Sequence, residues 1–295
     1  MKLQCPVCRS SAVEDAPCSQ CGFVLKKEDG ILRALAPDRR AFYEQFLGDY
    51  GTIRMAEGRG SHDREYYLAL PFEDRSGKNS EQWRIRARTY RYFESNLLLP
   101  ERSFDVLDLG AGTGWMSYRL AQQGHRPVAV DIFTDPLDGL AAARHYGQFP
   151  CVEAEFDRLP FADAQFDLAV FNSSLHYSTD YHGTLAEARR CLRPAGRVVV
   201  LDSPLYKQRE HGELMRNERH RQFQAQYGFA SDSVASLEYL YESQLAELSR
   251  DLGLRWQIHQ PWYGWKWHMR PWKARLRGKR PPSRFCVLVA SASNS

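Results

Sequence analysis

Three groups of residues in this 295-residue chain have the types and spacing to do chemistry. The first is Asp108-Leu109-Gly110-Ala111-Gly112-Thr113-Gly114, which follows the apolar run Phe104–Leu107. An apolar run, an acid and three glycines spaced two apart describe a buried strand that turns sharply into a helix. The backbone there is bare enough for a ligand to lie against it. The second is Cys5-Pro6-Val7-Cys8 and Cys18-Ser19-Gln20-Cys21-Gly22, two C-x2-C pairs. The third is His176, in the loop Asn172-Ser173-Ser174-Leu175-His176-Tyr177 after an apolar run.

The glycine spacing says what kind of ligand the turn takes. A pyrophosphate-binding turn wants G-x-G-x-x-G, whose third glycine lets helix and strand pack closely. Here Gly114 comes one residue early and Trp115 stands in the third glycine's place. Asp108 is a poor neighbour for a pyrophosphate and a good one for a cation. The expected ligand therefore carries positive charge, and S-adenosylmethionine, with an ammonium and a sulfonium, meets that demand.

The elements that must position these residues alternate. Short apolar runs at 104–109, 127–131, 166–171 and 196–201, with a weaker one near 150–154, are separated by amphipathic segments such as 115–123 and 185–192. This pattern predicts an α/β fold, a doubly wound and mostly parallel sheet with ligands at the carboxyl ends of its strands.

Residues 100–203 resemble the class I S-adenosylmethionine-dependent methyltransferases. The resemblance rests on the glycine turn, on Val128-Ala129-Val130-Asp131, on Glu155-Phe156-Asp157-Arg158-Leu159-Pro160-Phe161, on the loop at Asn172, and on Leu192-Arg193-Pro194-Ala195-Gly196. It implies a Rossmann-like seven-stranded sheet with helices on both faces. Asp108, Gly110, Gly112 and Gly114 would then cradle the cofactor. Asp131 would take both ribose hydroxyls, with Ile132 beside it, and Glu155 and Phe156 would meet the adenine, with Asn172 at the mouth of the site. His176 is the candidate general base, weighed against a role in packing its own loop. No Asn/Asp-Pro-Pro-Tyr tetrad follows the fourth strand, which disfavours methylation of nucleobase amines. The loop is similar to those of small-molecule methyltransferases, including enzymes acting on quinone precursors.

The four clustered cysteines suit a tetrahedral S4 zinc site of the structural kind, all of its ligands coming from the protein. They predict a zinc ribbon over 1–36, similar to the ribbons that precede many bacterial methyltransferase domains. Cys151, Cys191 and Cys286 read as inert core thiols. Residues 37–100 read as a helical lead-in containing an amphipathic helix from Gln82 to Leu99. Arg84, Arg86, Arg88 and Arg91 read as its solvated face, with one of them or Tyr90 within reach of the cofactor. The polar stretch Glu57–Tyr67 is expected to form part of a lid, and the methyltransferase domain then occupies 101–295. A charged insertion at about 206–241 is expected to cap the acceptor, and Arg255–His259 and Arg284–Ala290 to be the last two strands.

The formal net charge of +4 hides an asymmetry. After Asp251 the chain has no acid, yet it carries nine Lys/Arg from Arg255 to Arg284, and five of its seven tryptophans. Such a segment suits anionic lipid head groups, single-stranded nucleic acid, or simple packing with solvated charges. No run of apolar residues is long enough to span a bilayer, and the N-terminus lacks an apolar leader, so a cytoplasmic protein is expected. The reading is a methyltransferase of a small-molecule or lipid-linked acceptor, with peripheral membrane contact through the basic segment as a further expectation. An RNA methyltransferase, and a non-catalytic S-adenosylmethionine-binding scaffold, are the alternatives.

Overall fold

The computed structural model describes residues 1–98, 101–147 and 149–292. At the N-terminus β1 (Leu3–Gln4) and β2 (Ser11–Ala12) pair antiparallel, followed by β3 (Lys26–Glu28) and β4 (Ile31–Arg33). Three helices come next: α1 (Pro37–Ala56), α2 (Arg64–Ala69) and α3 (Ser80–Leu97). The core then runs β5 (Asp105–Leu109), α4 (Trp115–Gln122), β6 (Arg126–Asp131), β7 (Cys151–Glu153), β8 (Phe166–Asn172), α5 (Tyr181–Cys191) and β9 (Leu192–Leu201). After it come β10 (Pro204–Tyr206), α6 (Arg209–Tyr227), β11 (Leu240–Tyr241), α7 (Glu242–Leu252), β12 (Leu254–His259), α8 (Trp265–His268), α9 (Arg270–Leu276), β13 (Arg284–Phe285) and β14 (Val287–Ala292).

The α/β class expected from the alternation is what forms, but the main sheet is larger than seven strands. Its order is β12-β14-β9-β8-β5-β6-β7-β4-β3. The first seven of these are the expected set, parallel from β9 to β7 with β14 antiparallel. The other two come from the segment expected to belong to the ribbon. β4 lies parallel to β7, Ile31 opposite Cys151 and Arg33 opposite Glu153, and β3 closes the edge. Ile31-Leu32 is an apolar pair that finds its partners on the sheet's open edge, where β7 would otherwise leave a row of unpaired amides and carbonyls.

Alternation along the strands divides the core. Leu107, Leu109, Val128, Val130, Val152 and Phe171 face one side, under α5 and α7. Val106, Ala129, Leu168, Val170, Val199 and Leu201 face the other, under α3 and α4. By the same period of two, Asp108 falls on the side of Val106. Helix α3 buries Trp83, Ala87, Tyr90, Phe93 and Leu97 against that side, the i, i+4, i+7 stripe read from the sequence. The predicted C-terminal end of that helix, Leu99, lies outside the described residues. The three isolated cysteines are buried as expected, and burial pushes the Cys151 and Cys191 thiols up to about 12.

Candidate cofactor site

The glycine turn is pinned to the end of β6. The Gly110 and Ala111 amides donate to the Val130 carbonyl at 2.8 and 3.0 Å, and the Gly112 amide donates to Asp131 Oδ2 at 2.8 Å. The other Asp131 oxygen accepts from the Phe133 amide at 2.8 Å. Glycine is required at Gly110 twice over. Its φ is +74°, and a Cβ there would lie 2.2 Å from the Ser174 Cβ.

A cavity of about 1170 Å3, its open mouth included, lies over the carboxyl ends of β5, β6 and β8. Every residue expected to hold the cofactor lines it except Gly114, which instead starts α4 with φ +80° while its neighbours Thr113 and Trp115 face the space. Asp108 is buried there, one oxygen accepting from the Ser117 hydroxyl at 2.7 Å and Oδ1 with no partner. Burial, with Asp131 as a like-charged neighbour, pushes its carboxyl up to about 7. Among the described residues Thr113 Oγ1 and Asn172 Oδ1 are likewise buried and unpartnered on the same wall. Leaving three polar atoms unpaired is costly unless a ligand supplies their partners. An ammonium would donate to Asp108 Oδ1 and a sulfonium would be attracted to its charge, and the acid-lined wall therefore fits S-adenosylmethionine.

Phe156 lines the cavity with its ring edge-on to Phe171. Glu155 lines it too, but its carboxylate is held by Arg39 at 2.8 Å and by the Tyr43 hydroxyl at 3.1 Å. Both partners come from α1, and that helix is what the sequence did not single out. Tyr43, Phe46, Tyr50 and Arg54, spaced three, four and four apart, form one face that roofs the cavity. Arg54 pairs with Asp138 on the cavity wall. The signal was present as an aromatic stripe at helical spacing, but nothing in it distinguishes a roof from a core-facing side.

Three expectations concern the surroundings: a lid, a cap and a solvated arginine face. The stretch Glu57–Tyr67 contributes no residue to the cavity wall, and Tyr67 is fully buried, its hydroxyl within 2.6 and 2.8 Å of the Ser61 and Leu137 carbonyls. Insertion 206–241 contributes only Val234 to the cavity wall, and α6 buries little beyond Gly212. Of the α3 arginines, Arg86 alone lines the cavity, so it is not part of a solvated face. Among the described residues it forms no ion pair; it touches Ser173 Oγ at 3.4 Å, and burial lowers it to about 10.

His176 is not among the residues facing the cavity. It is buried beneath the loop, Nδ1 at 3.3 Å from Ser203 Oγ and its ring tilted against Tyr177. Burial, with Arg219 and Arg86 adding repulsion, lowers its pKa to about 3, so it stays neutral and is a feeble base. Of the two roles weighed for it, general base and packing of its own loop, its place away from the cavity and the dehydration of the imidazole favour packing.

The four cysteine sulfurs lie within 4.8 Å of one another, with Cys5–Cys21 and Cys8–Cys18 at 3.5 Å. A tetrahedral zinc with bonds of about 2.3 Å sets its sulfurs about 3.8 Å apart, so the cluster fits one. The two turns are built alike. Arg9 (φ +65°) closes the first with its amide on the Cys5 carbonyl, and Gly22 (φ +75°) closes the second on the Cys18 carbonyl. The Ser10 hydroxyl sits 3.1 and 3.0 Å from the Cys8 and Cys18 sulfurs.

Residues 107–200 match a family model described as a methyltransferase domain. Over 97 residues the chain is 38% identical to the demethylmenaquinone methyltransferase of Mycobacterium marinum, covering 33% of this chain and 40% of that one. Over 101 residues it is 35% identical to the malonyl-[acyl-carrier protein] O-methyltransferase of Erwinia pyrifoliae, covering 34% and 37%. The chain thus spans well under half the length of these curated relatives. Among solved structures it resembles the YcgJ protein from Bacillus subtilis, with a TM-score of 0.51 at 12% identity over 71% of this chain and 99% of that one. That likeness concerns the fold. The matched segment, 107–200, contains the glycine turn, Asp131, Glu155, Phe156 and Asn172.

Proposed function

We propose that the chain is an S-adenosylmethionine-dependent methyltransferase acting on a small-molecule or lipid-linked acceptor, and that its four N-terminal cysteines hold a structural zinc. The observation that carries the reading is Asp108: a buried carboxylate with one oxygen unpartnered, at the foot of a glycine turn that is wrong for pyrophosphate and lies within the methyltransferase match. S-adenosylmethionine supplies an activated methyl group. The chain's own residues bind and orient. Asp108 Oδ1 would receive the cofactor's positive end, and the Asp131 carboxylate, fixed by two amides, would take the ribose hydroxyls. Phe156 would pack on the adenine. Arg86, which forms no ion pair among the described residues, would take the cofactor's carboxylate.

The acceptor then sits under α1 against the cluster Phe46, Tyr50, Phe133 and Tyr177, whose rings pack on one another at 5.2 to 6.2 Å, edge to face except for the stacked Phe46–Tyr50 pair. This lining is apolar and aromatic, as small organic ligands require. It excludes water and holds the acceptor for in-line displacement, where alignment is most of what catalysis needs. Zinc fills its coordination with protein thiolates and contributes folding energy to a module too small for a core of its own.

Titration calorimetry with S-adenosylmethionine, S-adenosylhomocysteine and NAD tests the cofactor, with binding of the first two and none of the third expected. Binding of NAD alone overturns the reading. A radiolabelled methyl donor offered to metabolite, lipid and RNA fractions then identifies the acceptor; label entering RNA alone overturns the small-molecule assignment.

A further inference from the structure

The acid-free C-terminal segment folds into two short helices, α8 and α9, joined at Met269, whose outer face is unusual for a protein surface. Trp262, Trp265, Trp272 and Leu276 are 55, 74, 57 and 68% exposed. Trp256 and Trp267 show what packing asks of such side chains. Trp256 lies against the core, and Trp267 is wedged between Tyr263 and Phe285 with Arg270 stacked 3.3 Å over its ring. The segment is firmly fixed. Arg88 of α3 donates to the Tyr263 carbonyl, the Tyr263 hydroxyl meets Thr89 Oγ1 at 2.8 Å, and Arg270 donates to the Ser283 carbonyl at 2.5 Å.

Charge on this face has one sign. Arg280 and Arg284 are ion-paired, to Glu218 and Glu242. Among the described residues Lys266, Lys273, Arg275, Arg277 and Lys279 form no ion pair, and all are exposed. On α9, Trp272 and Leu276 stand four apart on one face, with Lys273 and Arg277 on one flank and Arg275 on the other. A narrow apolar stripe bordered by cations, with indoles at its edge, is the pattern of a helix lying in a membrane interface. The cations meet anionic head groups while the rings enter the boundary region.

We infer that residues 262–280 form a docking surface for an anionic lipid bilayer. Single-stranded nucleic acid fits the face less well. Bases stack on ring faces, whereas Trp262 and Trp265 pack edge to face on each other at 5.3 Å, and Leu276 offers a base nothing to stack on. The segment's attachment to α3, which carries cavity residues Trp83 and Arg86, fixes the cavity relative to the bilayer. The surface stands whatever reaction the cavity performs; only its use in presenting a lipid-linked acceptor rests on the proposed methyl transfer.

Co-sedimentation of the full chain with phosphatidylcholine vesicles, with and without phosphatidylglycerol, tests the surface. Binding to the phosphatidylglycerol vesicles is expected, with brominated lipid quenching the tryptophan fluorescence. Reversing charge in Lys273→Glu/Arg277→Glu should weaken binding at least about tenfold, and Trp265→Ala/Trp272→Ala should reduce the quenching to what Trp262 alone supplies. Both variants should keep cofactor binding by calorimetry, which reports an intact fold and separates failure of this inference from failure of the methyltransferase reading. Equal binding to neutral vesicles overturns it. So does an unbound protein, or an RNA oligonucleotide bound through these residues while vesicles sediment alone.

Discussion

At the scale of single residues, Asp108 and His176 show how burial assigns opposite parts to two titratable groups, one near the end of β5 and one in the loop after β8. The Asp108 carboxyl, raised to about 7, is half protonated at neutrality and gains most from a cation. Cofactor affinity should therefore fall as pH drops below about 7 and level off above it, because only the ionised form attracts the ligand's charge. In the ligand-free protein the sign is reversed: a carboxyl raised in the folded state weakens folding as pH climbs from about 4 to 7. Asp108→Asn keeps an acceptor for Ser117 but removes the charge. It should cost about ten- to a hundredfold in cofactor affinity and flatten the pH dependence, both measurable by calorimetry. His176→Ala should leave the pH profile of turnover near neutrality unmoved while lowering stability by about 1–3 kcal/mol. Denaturant unfolding and initial rates separate the two, and a collapse of turnover with stability intact would restore the histidine to the chemistry.

The elements divide into those whose sequence names them and those whose placement depends on partners far along the chain. Strands β5, β6 and β8 are legible because each is an apolar run ending where a polar residue must face the ligand. Helix α3 is legible because its stripe has one period. The role of α1 is not legible: it buries only Tyr43 and Ile53, and its hold on the site comes through Arg39–Glu155 and Arg54–Asp138, pairs more than eighty residues apart. Sequence spacing carries no trace of such pairs. Nor could it show that Ile31–Arg33 would turn from a ribbon's end into a sheet strand, since the apolar pair Ile31-Leu32 suits both. At the turn itself the outcome of a change is calculable. Gly110→Ala sets a methyl group against Ser174 at a left-handed φ, and both effects oppose the native loop. It should lower the melting temperature and abolish cofactor binding, as thermal unfolding with and without S-adenosylmethionine would show.

In the whole molecule these pieces form one line from the cysteine cluster to the cavity. The N-terminal module is laced to the sheet through Gln4 on the Pro160 carbonyl, Arg9 on Glu187 and β4 on β7. Directly after β4 the chain enters α1, where Arg40 reaches Glu153 at 2.7 Å and Arg39 reaches Glu155 at the end of the same strand run. Loss of metal should release the module, since residues 1–36 bury little apolar surface among themselves. The edge pairing of β4 and the register of α1 should go with it, and so should the aromatic roof that α1 provides. Stripping the metal with a chelator, or replacing ligands in Cys8→Ser/Cys21→Ser, should therefore weaken S-adenosylmethionine binding by about tenfold or more. The β5–β9 half of the sheet should keep its amide protection in hydrogen exchange, and protection should vanish at residues 31–33 and 151–153. Zinc returned to the stripped protein should restore affinity, and fail to do so in the cysteine variant. Unchanged affinity after verified metal loss would mean that α1 holds its place through Arg39 and Arg54 alone, and that the cysteine module acts on something other than the cavity.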